Sequence, residues 1–296
     1  MKRLRSLIML LAASALLSSC AVSKYAANSD YPAIQSNYEP QGSLEEVFFP
    51  SSEPGITRRH AFVYLPEGYH TDTLRRYPVF YLLHGARGNE TVWIDKGDLL
   101  HNVDSLCSKG AMLPTIVVLP NVNQYNDDRD YGHARLKNAL ESFYEVDGTV
   151  EAHFLKDVVS TTDSLFRTIA DKNHRAVAGL SIGAMQSIYL SANSPDTFGY
   201  VGMFSPMVHS FLKPGPDNSF YSSLNKKLQI QFSDPPILYM VMIGDTDFFH
   251  PSTESWSRSL DRKGFRHEYH LAKGGHEWYN WSEFCNQFMQ RLWKAE

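Results

Sequence analysis

The pentapeptide Gly179-Leu180-Ser181-Ile182-Gly183 is where this sequence most plainly offers chemistry. It follows the short apolar run Ala176-Val177-Ala178 and precedes the helix-like Ala184-Met185-Gln186-Ser187-Ile188-Tyr189. Glycines two residues either side of a serine, between strand and helix, allow a sharp turn that a Cβ at either flank would crowd. Such a turn lifts the Ser181 hydroxyl above the strand end. It also sets the residue near a helix N-terminus, whose partial positive charge favours a developing anion. A serine hydroxyl is a weak nucleophile until a base takes its proton. Of the 12 histidines, His276 in Gly274-Gly275-His276-Glu277-Trp278 is the strongest candidate base. It lies just past the last strand-like run, and its glycines let the loop approach Ser181. His84, His250 and His270 are weaker alternatives, and His84, at an earlier strand end, suits shaping a loop. No second histidine follows His276-Glu277 at helical spacing, so the pair is not a zinc motif.

A base of this kind needs a carboxylate to fix its tautomer and stabilise the imidazolium. Asp245 and Asp247 both lie in Gly244-Asp245-Thr246-Asp247-Phe248, past the apolar run 237–243 (ILYMVMI). Asp247 is preferred because it sits deeper in the loop, and the other aspartate then bonds the turn. The functional order along the chain is Ser, Asp, His. Two backbone N–H groups complete the set as an oxyanion hole. One belongs to Ile182, and the other to Ala86 in His84-Gly85-Ala86-Arg87-Gly88, where Gly85 permits the turn. These groups together suit acyl transfer through a covalent intermediate, which requires no metal and no organic cofactor.

Strand-like runs at 62–65 (FVYL), 79–83 (VFYLL), 116–119 (IVVL), 176–178 (AVA), 237–243 and 267–271 (HEYHL) carry these residues at their ends. Several are continuously apolar, as parallel strands covered on both faces must be. Helical patterns fill the gaps: Phe154, Val158, Leu165 and Ile169 share one face, and Phe284, Phe288 and Leu292 another. The alternation predicts an α/β fold, a mainly parallel central sheet with helices on both faces, as a single domain over 43–296. Two long irregular stretches, 121–149 and 206–235, follow strand ends and are expected to wall the site. Trp93, Tyr125, Tyr131, Trp278 and Trp281 lie near these loops. Of them Trp93, Tyr125 and Trp278 are the candidate substrate contacts, although rings of this size equally suit a core.

The net charge of −4, without a Lys/Arg block, argues against a nucleic-acid partner. Three cysteines are too few for a disulfide scaffold, and none has zinc-site spacing. Lys2, Arg3 and Arg5 precede an apolar run at 7–17, too short to span a bilayer and suited to a secretory signal. The following Leu17-Ser18-Ser19-Cys20 resembles the lipobox of bacterial lipoproteins. That resemblance implies removal of residues 1–19, acylation of Cys20, and a membrane partner through the lipid anchor at the bacterial cell envelope. Residues 20–42 then read as a tether. Cys107 and Cys285 remain, by default as buried thiols, with their pairing left open.

The runs Tyr77-Pro78-Val79-Phe80-Tyr81-Leu82-Leu83-His84-Gly85, Leu119-Pro120-Asn121, GLSIGAMQS, GDTD and GGHEW, with Trp93 after the first, are similar to the esterase D-like putative esterase family. Feruloyl esterases, acetyl xylan esterases, S-formylglutathione hydrolases and mycolyltransferases belong to that group. The resemblance covers about residue 43 to the C-terminus and implies an α/β-hydrolase fold and a serine esterase. It implies Ser181 as nucleophile, Asp247 as acid, His276 as base, and Ala86 and Ile182 as oxyanion amides. One departure is Ala184, where many members have a second glycine. The lipobox and GGHEWYNW lean toward the carbohydrate-esterase branch, hence toward an acylated oligosaccharide bearing feruloyl or acetyl esters. An acyltransferase, or a siderophore or lipid esterase, would use the same groups. A glycan-binding lipoprotein without catalysis would not need them.

Overall fold

The computed structural model describes residues 38–52, 58–86, 88–122, 148–208 and 220–294. In chain order it begins with β1 (Ser43–Pro50), β2 (Arg58–Leu65) and β3 (Val79–Leu83), then α1 (Val92–Gly97), α2 (Leu99–Ser108) and β4 (Ile116–Pro120). The helix α3 (Thr149–Phe154) runs through a π-turn (Leu155–Val159) into α4 (Ser160–Leu165), and β5 (Arg175–Leu180) leads into α5 (Ile182–Asn193). Next come β6 (Tyr200–Phe204), α6 (Leu224–Gln231), β7 (Leu238–Gly244), α7 (His250–Arg262), β8 (Glu268–Ala272) and α8 (Trp278–Met289).

The strands form one sheet in the order β1-β2-β4-β3-β5-β6-β7-β8. β1 and β2 pair antiparallel, as do β2 and β4, and every pairing from β4 through β8 is parallel. The reason is visible in burial. β3, β4, β5 and β7 are buried at every position, so their sequences carry apolar residues without alternation. Successive side chains point to opposite faces, which divides the core in two. One layer holds Val79, Tyr81, Leu83, Val177, Met203 and Val241 against Ile188 of α5 and Leu260 of α7. The other holds Phe80, Leu82, Ala178, Phe204 and Met240 against Val103 of α2 and Phe284 and Phe288 of α8. Phe288 stands 5.7 Å from the Phe80 ring and 6.0 Å from Phe204. Helices therefore cover both faces of a mainly parallel sheet, as the sequence pattern predicts.

Two strands were not in that pattern, and one helix lies where it read none. β1 is half-exposed along much of its length and carries Glu45 and Glu46, so it lacks an apolar run. β6 is short and broken by Gly202, where an added Cβ would lie 2.8 Å from the Ala178 Cβ and 3.0 Å from the Phe288 ring. α6 falls inside the stretch 206–235, read from sequence as irregular. Residues 1–37, with Cys20, and 123–147, with Tyr125 and Tyr131, lie outside the described residues. Among the described residues, Cys107 and Cys285 are both free thiols, half-buried and buried respectively, and no helix is long and apolar enough to cross a membrane.

Candidate active site

The carboxyl ends of β3, β5, β6, β7 and β8 lie side by side at one rim of the sheet. Ser181 stands on the first residue after β5, with φ 54° and ψ −111°. That backbone is strained for a residue with a Cβ, and its setting explains how it is held. The Ser181 N–H donates to Phe204 O at 2.9 Å, and the Ser181 carbonyl accepts from the Met185 N–H at 3.2 Å. An added Cβ on Gly179 would lie 2.6 Å from the Gly183 carbonyl carbon, and one on Gly183 would lie 2.9 Å from Leu83 O. Both flanking positions are closed to any larger residue. Almost all of α5 is buried, so the helix cannot rotate away from the turn it begins.

The candidate base His276 and its candidate partner Asp247 follow the ends of β8 and β7. His276 Nδ1 is 2.9 Å from Asp247 Oδ2, with the carboxylate fully buried and the imidazole nearly so. Phe248, Phe249 and Trp281 wall the imidazole, their ring centroids 4.5, 5.3 and 4.9 Å from its own. The histidine loop is set by Gly274, at φ +103°, and by three hydrogen bonds: Thr246 N–H to Gly274 O, Gly275 N–H to Glu277 Oε1, and Asn280 Nδ2 to Gly275 O. Burial alone would raise the Asp247 pKa. The hydrogen bond and charge attraction of His276, with the Phe249 N–H at 2.8 Å, outweigh it and hold the carboxyl below the usual range. An ionised carboxylate only accepts, so Nδ1 carries a proton, and in the neutral ring the lone pair falls to Nε2. Asp245 instead binds the Lys273 ammonium at 2.7 Å and the Gly274 N–H at 3.1 Å, which makes it a loop fastener.

The loop after β3 is seated on the serine turn. A Cβ on Gly85 would press on Leu180 and lie 3.4 Å from the Ser181 Cβ. His84, buried, determines how this loop is aimed. Its Nδ1–H donates to Gly85 O at 2.8 Å, and the Val122 N–H donates to its Nε2 at 3.0 Å. Both ring nitrogens are thereby committed and the neutral tautomer is fixed. Burial also pulls the His84 pKa down, so it is a loop clamp and not an alternative base. Gly85 O accepts a second bond from the Gly88 N–H at 3.0 Å. In a trans peptide the C=O and the next N–H point in opposite directions. Pinning the Gly85 carbonyl therefore aims the Ala86 N–H away from the clamp. Ile182 opens α5, so its N–H has no carbonyl four residues earlier within the helix.

Behind the loop, Asn121 Nδ2 donates to Glu90 Oε2 at 2.6 Å, His60 Nδ1 also bonds Glu90, and His60 Nε2 reaches Glu46 at 2.7 Å. This chain, buried at Asn121, Glu90 and His60, fixes the end of β4 from which Val122 addresses His84. Nothing in the sequence beyond His84-Gly85 signals the clamp, since its partners are main-chain atoms.

The aromatic candidates divide. Trp93 is 1% exposed and donates from Nε1 to Leu83 O at 3.1 Å, so it supports the end of β3 and offers no face to a ligand. The expectation that it contacts substrate is corrected by that burial. Trp278 is half-buried and stands edge to face with Trp93 and Trp281, each 5.3 Å away. Among the described residues no group of three or more His, Cys, Asp or Glu is arranged to hold a metal ion.

The family model described as putative esterase matches residues 52–292. The chain is 29% identical over 259 residues to the endo-1,4-beta-xylanase/feruloyl esterase of Xylanibacter ruminicola, covering 86% of this chain and 32% of that protein. It is 32% identical over 147 residues to endo-1,4-beta-xylanase Y of Acetivibrio thermocellus, covering 49% of this chain and 12% of that one. The chain thus spans about a third of the first relative's length and far less of the second. The structure of a CE1 ferulic acid esterase from the anaerobic fungus Anaeromyces mucronatus matches with a TM-score of 0.69 at 22% identity, over 89% of this chain and 95% of that chain. This likeness is one of fold, an α/β-hydrolase sheet with its helices.

Proposed function

The chain belongs to the putative esterase family, and from that premise we propose that it hydrolyses feruloyl or acetyl esters of plant polysaccharide, with Ser181 as nucleophile, His276 as base and Asp247 as its partner. The observation that carries the mechanism is the 2.9 Å contact of His276 Nδ1 with buried Asp247, at the rim where Ser181 occupies its strained turn. His276 Nε2 takes the Ser181 proton as Oγ attacks the ester carbonyl. The Ala86 and Ile182 N–H groups hold the oxyanion, and the imidazolium then protonates the departing alcohol. A water deprotonated by the same nitrogen releases the acid and frees Ser181. The choice of substrate is supported by the feruloyl esterase activity named for the Xylanibacter ruminicola relative, and by Trp278, whose partly open ring suits a phenolic or sugar face.

Wild type and Ser181→Ala compared on p-nitrophenyl acetate and methyl ferulate test this directly. The variant is expected to lose at least ~10³-fold in kcat; equal rates would remove Ser181 from the mechanism. Wild type that cleaves long-chain acyl esters but neither methyl ferulate nor acetylated xylan would overturn the substrate. The proposal extends to placement at the bacterial cell envelope through an acylated Cys20, on the strength of Leu17-Ser18-Ser19-Cys20 alone. Radiolabelled palmitate incorporated into wild type and lost in Cys20→Ala is the expected result.

A further inference from the structure

Building on the roles assigned above to Ser181 and to the Ala86 and Ile182 amides, we propose that Glu90 is a positioning residue whose buried carboxylate closes a hydrogen-bonded ring beneath the oxyanion loop. That loop joins the end of β3 at Leu83 to the start of α1 at Val92, with His84 at its beginning, Ala86 within it and Glu90 near its finish. Both of its ends reach the same place, the consecutive residues Asn121 and Val122 just past β4. Asn121 Nδ2 donates to Glu90 Oε2 at 2.6 Å, and the Val122 N–H donates to His84 Nε2 at 3.0 Å. The ring runs along the chain from His84 to Glu90, across to Asn121, on to Val122 and back to His84.

A loop held by one bond can still swing about it, whereas bonds at two separate points also fix its tilt. The far side of the ring is itself braced. The Asn121 N–H donates to His60 O at 2.9 Å, and Asn121 O accepts from Arg59 Nη1 at 3.4 Å. Asn121 O shares a peptide plane with the Val122 N–H, so these bonds set the direction in which that N–H points. Glu90 is buried, and its second oxygen meets His60 Nδ1. An apolar side chain of similar volume would fill the space with less desolvation. What the carboxylate adds is two acceptor oxygens, one turned to the end of β4 and one to β2.

Without the bond between Glu90 and Asn121, the half of the loop leading to α1 is released from β4, and the Ala86 N–H is held less firmly toward the oxyanion. Ser181, His276 and Asp247 are not touched by this change. The ester in its ground state carries little charge on its carbonyl oxygen, so the loss falls on the transition state. The signature is a fall in kcat with KM held, and an equal fall in affinity for an inhibitor that forms a tetrahedral anion on Ser181.

The experiment uses full-length protein: wild type, Asn121→Asp, Asn121→Ala, Glu90→Met, the double variant Glu90→Met/Asn121→Ala, and the exchange variant Glu90→Gln/Asn121→Asp. Labelling of wild type by a fluorophosphonate probe comes first. Its absence would overturn the roles of Ser181 and the two amides and take the proposal with them, while every later outcome bears on Glu90 alone. Asn121→Asp sets two carboxylates against each other and is expected to lower kcat on p-nitrophenyl acetate about 10- to 100-fold, with KM within about twofold and affinity for a boronic-acid inhibitor weakened by the same factor as kcat. In the exchange variant the amide and the carboxylate trade places, so charge and volume are kept and a donor again faces an acceptor. It should return kcat and inhibitor affinity to within about threefold of wild type. Asn121→Ala keeps the test decisive if Asn121→Asp does not fold, since it removes the donor without burying a second charge, and it should lower kcat about 3- to 30-fold. Glu90→Met keeps the bulk and accepts nothing, so it should show a similar loss, and adding Asn121→Ala to it should change kcat less than about twofold further. A folded Asn121→Ala with wild-type kcat and inhibitor affinity would overturn the proposal. So would additive losses in the double variant, an exchange variant no more active than Asn121→Asp, or a defect confined to KM.

Discussion

A carboxylate as deeply enclosed as Asp247 would ordinarily take up a proton, and here its hydrogen bonds prevent that. Its folded pKa is depressed, so it stabilises the fold above the unfolded value of about 3.9 and loses that contribution as pH falls through the folded value. The melting temperature of wild type should therefore drop more steeply than that of Asp247→Asn as pH falls below about 4, in paired thermal melts. At neutral pH the same substitution leaves Nδ1 without an anionic acceptor, and a loss of about 10³- to 10⁴-fold in kcat is expected. His84 makes a different prediction, because it acts on an amide rather than on the base. Without its grip on Gly85 O, the Ala86 N–H is no longer aimed. His84→Ala should lose about 10²-fold in kcat with KM little changed, and bind a boronic-acid inhibitor more weakly by a similar factor. Equal inhibitor affinity in the two proteins would exclude the clamp.

The elements that carry the site were legible to the extent that they are buried on both faces. Runs such as VFYLL and ILYMVMI have no polar residue to confuse the reading, and β3 and β7 lie where those runs do. β6 escaped notice because Gly202 interrupts five residues, and that same glycine lets α8 close over the sheet. Gly202→Ala should destabilise the protein by roughly 1–3 kcal/mol, measured by denaturant melts, while the folded fraction retains its turnover. Of the site itself, Ser181, Asp247 and His276 announce themselves by residue type and place along the chain. The His84 clamp does not. It depends on which way a carbonyl points, and that leaves no mark in a one-dimensional pattern. Trp93 misled for a related reason, since proximity in sequence to a site loop says nothing of which way packing turns a ring.

At the scale of the whole molecule, two apolar layers seal a sheet at one rim of which Ser181, Asp247 and His276 emerge. The thiols lie within or beside those layers. Burial pushes the Cys285 pKa up strongly and that of Cys107 up to about 12. Neither should react with iodoacetamide at pH 8 over hours while the protein is folded, and both should react within minutes in denaturant, as read by peptide mass mapping at those two sites. Val122 marks a seam in the molecule, because its amide is spent on His84. Replacing it with proline would delete that one donor while sparing every other side chain, and the loop after β3 would lose its mooring to the neighbouring strand.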